Sequence, residues 1–358
     1  LVSLLSRGVI GAVAPDGVLT ATQTLLLRAV VPAMTGFAAD LGSPPLDAAG
    51  LAHALRHHAL AFRTRIVQLM VLLALVRRPL PPEVADSVAA YAAELSVEEG
   101  MLPVAHRFAE GSLGLAAFDF ERNGYTAAWD EAAAGSLYTT RRLASAWDLD
   151  VADDDLARRW QSLEGLPEGT IGRLVTDFYR ARGFVYPGRP GSAPPLLAQH
   201  DWVHVLADYG TTVESELEVF AFIARANEDL HAFSLLAMVV SLFETGYLRT
   251  GAGLFEASPG HLSRHGVPER VADAMRRGAL CTSTDFLRCD WFALAELPLE
   301  QARAQFAVPA KGSEAVAAGS VGPWERGGIS PFQVAAGTAL AVAEGRRYES
   351  FGAEVGED

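Results

Sequence analysis

Apolar residues recur at three- and four-residue steps along most of this chain, and no stretch alternates for long enough to build a strand. That period lets one side of a helix be buried while the other stays wet, so it commits the chain to an all-α fold. From Thr20 to Asp40 the pattern is one-sided, and it continues over Leu51–Val76, interrupted by Arg63 and Arg65. Pro79-Leu-Pro-Pro stops it and starts it again, with Pro82 placed for the first turn of a helix over Pro82–Leu95. Gly100 and Pro103 break the pattern, and a short helix is expected to follow as far as Ala109.

Two helical domains are expected within the 358 residues, half of which are hydrophobic. The first spans 1–130, closed by Gly124-Tyr-Thr. The second spans 155–310, and 311–358 reads as a tail with one short helix, Phe332–Glu344, and a loose acidic end. Five aspartates between Asp148 and Asp155 mark a solvated connector between the two domains. A stiff loop, Tyr186-Pro-Gly-Arg-Pro-Gly-Ser-Ala-Pro-Pro, leads into the most informative segment. No internal repeat is visible.

The balance of 29 basic and 43 acidic groups gives a net charge of −14, which repels phosphate backbones and argues against a nucleic-acid partner. Lys311 is the one lysine, a bias that fits a GC-rich bacterial genome. Two cysteines, Cys281 and Cys289, without a CxxC pair, argue against a zinc site on sulfur and fit a reducing cytoplasm. The most apolar runs, Ile66–Val76 and Phe233–Phe243, are 11 residues each. A bilayer needs roughly 20, so buried core helices are the plain reading and a lipid-facing groove the sharper one. The opening Leu1-Val-Ser-Leu-Leu-Ser-Arg lacks a signal-peptide pattern, and because it starts without Met some native N-terminus is expected ahead of it.

The segment that carries chemistry is His200-Asp-Trp-Val-His204 followed by Glu216. On a helix His200 and His204 stand one turn apart and can face one ion, and Asp201 lies about 100° round from His200, toward the same edge. Imidazoles and carboxylates suit zinc, iron or manganese. On one straight helix Glu216 would face about 120° away from His204. Gly210 is expected to end the first helix in a left-handed cap, and Thr211-Thr-Val-Glu214 to open the next as a capping box, which folds Glu216 back toward the histidines. Glu214 is better occupied at the helix N-terminus. The bland alternative is an ordinary histidine pair, since HxxxH arises often by chance.

The pattern H-D-x-x-H-x11-E resembles the signature of the ubiquinone (coenzyme Q) biosynthesis protein four family. Leu166-Pro-Glu-Gly-Thr-Ile-Gly172, Phe220, Trp291 and Pro298-Leu-Glu-Gln-Ala-Arg303 resemble its flanking segments, over roughly Gln161 to Pro309. The chain departs from the family in Pro194-Pro-Leu-Leu-Ala-Gln199, where an Arg/Tyr-rich stretch is usual, and in Ser215, where a glycine is usual. The resemblance implies a helical fold and a divalent metal on His200, Asp201, His204 and Glu216, with Asp201 and Glu216 as the catalytic candidates. It further implies a prenylated quinone precursor or other isoprenoid lipid as ligand, and oxidative decarboxylation at ring carbon one. An alternative is a lipid-binding scaffold without chemistry. Quinone-biosynthesis enzymes as partners, homo-oligomers and peripheral contact with the inner face of the cell membrane belong to the same expectation. Phe220, Phe233, Leu236, Met238 and Val240 are the expected lipid-lining residues. The alternative use of these side chains is simply to fill a core.

Residues 1–130 weakly resemble the tellurite-resistance protein B-like helical domain, through Arg63-Thr-Arg-Ile-Val-Gln-Leu-Met-Val-Leu-Leu-Ala-Leu and Val84-Ala-Asp-Ser-Val-Ala-Ala-Tyr. His57 and His58 adjoin on a helix and face different ways. His261 and His265 lack a neighbouring carboxylate and read as surface residues, and nothing in the sequence places Asp285 or Asp290. Two rival enzymes share part of the motif. An HD-type phosphohydrolase needs a further upstream histidine, with His57, His58 and His106 the nearest. An HExxH-type protease would have Asp201 where its glutamate belongs.

Overall fold

The structure is a computed structural model that describes residues 1–98, 100–110, 135–139, 152–227, 232–240, 260–282 and 284–355. The fold is all-α. The helices are α1 (Val2–Val13), α2 (Ala21–Thr35), α3 (Ala48–Leu55), α4 (Leu60–Leu75), α5 (Pro82–Glu94), α6 (Met101–Ala109), α7 (Asp154–Ser162), α8 (Ile171–Arg182), α9 (Pro195–Ala207), α10 (Val213–Ala226), α11 (Ala232–Val240), α12 (Val267–Leu280), α13 (Trp291–Leu294), α14 (Leu299–Gln305), α15 (Ser313–Ala317) and α16 (Pro331–Ala343). Two short strands, β1 (Arg326–Ile329) and β2 (Glu354–Val355), pair in parallel. The Gly124 break, residues 148–151 of the aspartate-rich connector and the end of the Phe233–Phe243 run lie outside the described residues. The other three aspartates do not form a solvated connector: Asp153 is buried and caps α7, and Asp154 and Asp155 fill its first turn, where acidic groups suit a helix N-terminus.

The chain divides into two compact units. The first gathers α1–α6 with α11 and α12 up to Arg276. Its axis is α4, whose residues from Ile66 to Leu75 are all buried. An apolar surface on every side must be covered on every side, and α1, α5, α6 and α11 do this. The α3–α4 pattern, continuous in the sequence, is broken between Leu55 and Leu60. Thr20 opens α2 through a capping box with Gln23, whose buried amide also donates to the carbonyl of Leu73. Gly36, at φ 76°, ends that helix in the left-handed region where a side chain would be strained.

The second unit holds α7–α10, the chain from Arg277 onward, and therefore α13–α16 and both strands. Here α8 packs against α9, α13 and α16, while α9 packs against α10 and α14. Under them lies an aromatic core in which Trp202 stacks on Trp291 at 5.7 Å and Trp160 touches Tyr179 at 5.1 Å. Residues 311–355, expected as a tail, are part of this unit instead. The helix expected over Phe332–Glu344 forms as α16, and its Gly337 sits against the backbone of Ala181 in α8. Local pattern alone could not reveal this, because the segment is held by contacts with residues distant in sequence, through backbone approach at glycines and through Trp324, Ile329, Val334, Phe351 and Ala353 gathered with Ala181.

Gly328 illustrates that approach: a methyl group there would overlap the carbonyl oxygen of Gly322. Gly328→Ala should therefore destabilise the protein by about 2 kcal/mol, the usual scale of overpacking. Gly165→Ala, where a Cβ meets nothing within 4 Å, should be close to neutral. Urea unfolding of the two variants checks the difference, and equal midpoints would contradict it.

Candidate metal centre

α9 starts on Pro195, whose fixed backbone suits a first turn, after the loop predicted to stiffen its approach. Its residues from Ala198 to Ala207 are all buried, so His200, Asp201 and His204 lie in the interior of the unit. The helix ends at Asp208, which takes the left-handed conformation (φ 66°) expected of Gly210. Gly210 is needed for a different reason: a Cβ there would lie 2.7 Å from the Cα of Gly328. The next helix is capped by Thr212, which accepts from the amide of Ser215, rather than by Thr211. Thr211 is taken up by the C-terminal segment, donating to Gln333 Oε1 at 2.6 Å. The turn still does what the spacing requires, since α10 packs against α9 and brings Glu216 to the histidines.

The geometry converges on Glu216. His200 Nε2 lies 3.4 Å from Glu216 Oε2, and His204 Nε2 lies 3.3 Å from Glu216 Oε1. Asp201 Oδ1 lies 3.5 Å from His200 Nε2. Side-chain ligand atoms of His200, Asp201 and His204 all fall within 4.8 Å of one another. Both imidazoles are fixed from behind. His204 Nδ1 donates to the carbonyl of Gly210 at 2.8 Å, and His200 Nδ1 to that of Leu197. This holds the tautomer that leaves Nε2 available, as metal-binding histidines require. His204 Nε2 is buried and faces Glu216 Oε1 without a well-aligned hydrogen bond among the described residues. Such an atom in a dry interior costs free energy unless something occupies it, so the donor set fits a divalent ion.

Phe178 and Tyr179, which the sequence reading passed over, and Phe220, expected to line a lipid site, complete the surroundings. Tyr179 of α8 donates its hydroxyl to Asp201 Oδ2. The ring of Phe178 lies 5.5 Å from that of His204, and the ring of Phe220 lies 4.9 Å from that of His200. Helical spacing hints at Phe178 and Tyr179 as core positions but carries no signal of what they touch.

Burial is the largest influence on each charged group, and the neighbours decide the sign. Burial alone would depress His200, but the charge of Asp201, the bond to Glu216 and the Leu197 carbonyl raise it from 6.5 to about 9. Burial would raise Glu216, but His204 and His200 pull it from 4.5 down to about 2. Asp201 is raised by burial, against the pull of His200, His204 and Tyr179. Tyr179 is pushed well above 10 by burial and by Asp201, so it remains a neutral donor.

The remaining sequence candidates fall elsewhere. Phe233, Leu236 and Val240 are buried in the first unit on α11, which packs against α4, and Arg65 stacks on Phe233. Met238 lies on the same helix, its side chain outside the described residues. His261, expected at the surface, is buried, whereas His265 is exposed. Asp285 pairs with Arg288, and Asp290 caps α13 and accepts from Tyr138. Cys281 and Cys289 are free, their thiols raised by burial to about 11 and about 12, away from reactivity at neutral pH.

The ion-pair cluster predicts a pH profile for the metal-free protein. The raised His200 contributes stability that is fully present below about 6.5 and is lost as pH rises through about 9. The depressed Glu216 contributes stability present above about 4.5 and lost as pH falls through about 2. With chelator present, stability should fall between pH 6.5 and 9 by on the order of 1–3 kcal/mol. His200→Gln should flatten that decline. Urea midpoints across the range measure it, and identical alkaline profiles would contradict the assignment.

A scan against family models, a search of curated proteins and a search of solved structures return no match for this chain.

Proposed function

We propose that this protein holds a divalent metal ion on His200, His204 and Glu216, with Asp201 as a fourth ligand or as the group that orients His200. The observation that carries the reading is the pair of imidazoles, each locked through Nδ1, whose Nε2 atoms meet one buried carboxylate at 3.4 and 3.3 Å. Zinc, iron and manganese all accept this donor set.

We further propose that the centre serves a prenylated aromatic ring, as the H-D-x-x-H-x11-E resemblance implies, and that the reaction is the oxidative decarboxylation expected of that family. A bound divalent ion would supply Lewis acidity and, as iron or manganese, redox capacity. The chain's own residues do the rest. Glu216 and Asp201 present oxygen donors that the interior keeps ionised or hydrogen-bonded, and Tyr179 fixes Asp201. The His200 side chain is 11% exposed while His204 is 0%, so a ligand would approach from the His200 side, past the ring of Phe220. No helix among the described residues is long and apolar enough to cross a membrane.

The burial of Glu216 and His204 favours a second reading, a closed centre that stabilises a lipid-binding scaffold without turnover. Among the described residues no histidine from earlier in the chain joins the cluster, which gives the HD-type phosphohydrolase reading no support.

Elemental analysis should find about one divalent ion per chain, and none in a His200→Ala, His204→Ala double variant; full occupancy in that variant would sink the metal reading. Binding should tighten as pH rises from 6 to 9, because the ion displaces the His200 proton. Calorimetry in buffers of different ionisation enthalpy should record about one proton released per ion, and no release would contradict the coupling. Glu216→Gln separates enzyme from scaffold. Turnover lost with the prenylated acid still bound supports chemistry, and unchanged pathway function supports the scaffold.

A further inference from the structure

We propose that Arg182 is a positioning residue for His204, an inference that rests on the metal reading of the cluster. Arg182 is wholly buried at the end of α8. It reaches His204 by two routes. On one side its guanidinium lies 4.0 Å over the ring of Phe178, which in turn stacks on His204 with an interplanar angle of 29°. On the other its Nε donates to Thr211 Oγ1 at 2.8 Å. Thr211 directly follows Gly210, the residue whose carbonyl accepts the His204 Nδ1 proton.

The same guanidinium fastens the C-terminal segment over that turn. Nη2 donates to the carbonyls of Pro323 at 2.7 Å and Gly328 at 2.9 Å. The amide of Thr211 donates to Gly328 O at 3.0 Å and that of Gly210 to Val321 O at 2.9 Å. Gln333 returns a bond from its amide nitrogen to the Thr211 carbonyl. The residues from 321 to 333 therefore hold the 210–211 peptide from the outside, and Arg182 ties both to the aromatic ring beneath His204. Only a planar fork can serve several oxygens in one plane and stack its face on a ring; a lysine at this place would keep the charge and lose the geometry.

A purely structural Arg182 would affect stability without touching the imidazole, so the test reads the imidazole. In metal-free protein carrying ¹⁵N-histidine, the buried His204 Nδ1–H should give a slowly exchanging resonance. Arg182→Lys should speed its exchange, and in the zinc-loaded protein should speed zinc release, each by at least about tenfold, the range seen when groups behind a metal ligand are altered. Phe306→Leu, which loosens the same unit at Phe286 and Trp291, is the control and should leave both rates within twofold. Should Arg182→Lys fail to fold, Thr211→Val removes one of the two routes and should shift both rates in the same direction. Unchanged exchange in the Arg182 or Thr211 variant, or an equal change in the control, overturns the proposal. If the wild-type protein binds none of zinc, iron and manganese, the metal reading falls, and the exchange measurement on metal-free protein still decides the role of Arg182.

Discussion

A carboxylate, Glu216, sits in a dry helical interior between two imidazoles, and much of the second unit is arranged around that fact. A buried charge is tolerated only when paired and hydrogen-bonded. Glu216 has its partners because α10 turns back on α9 within five residues, from Asp208 to Thr212. That turn holds because its amides bond to Val321 and Gly328, which belong to a segment far along the chain. The segment stays in place through Arg182 and through glycines that let backbones meet. The position of one ionised side chain thus depends on contacts spread over more than a hundred residues of sequence.

The parts of the centre that follow from helical geometry were legible in advance. His200 and His204 are one turn apart by the pitch of the helix alone, and the break before Glu216 follows from a glycine and two threonines at a helix boundary. The individual roles in that break were not legible. Asp208 rather than Gly210 takes the left-handed cap, and Thr212 rather than Thr211 caps α10, because tertiary contacts claim Gly210 and Thr211 first. Arg182 and Gln333 gave no sequence signal at all. A buried arginine and a buried glutamine look like any surface pair until the carbonyls they serve are in view. The all-α class was legible because it rests on a period, which is local; the packing of residues 311–355 into the second unit was not, because it rests on close approach.

The two most apolar runs were read first as buried core helices, and the described residues of both pack as that reading requires. Ile66–Leu75 is apolar on every side because α4 is the axis of the first unit. Phe233, Leu236 and Val240 are buried on α11, which lies against α4. Core filling accounts for their character without a lipid. Phe220 is different, since its ring lies against His200, the more exposed of the two histidines, and so borders the centre itself.

Arg182 shows what a buried cation can do without joining the cluster itself. Taken out of water, a guanidinium is tolerated only where its protons find acceptors, and here they find Thr211 Oγ1 and the carbonyls of Pro323 and Gly328 while its face lies on the ring of Phe178. The acceptors that satisfy it belong to the 210–211 turn and to the segment that covers that turn, so the demand of one buried charge fixes the peptide whose carbonyl accepts the Nδ1 proton of His204. An imidazole held in this way has little freedom left to lose, and were an ion to bind, the cost of ordering that ligand would already have been met by the fold.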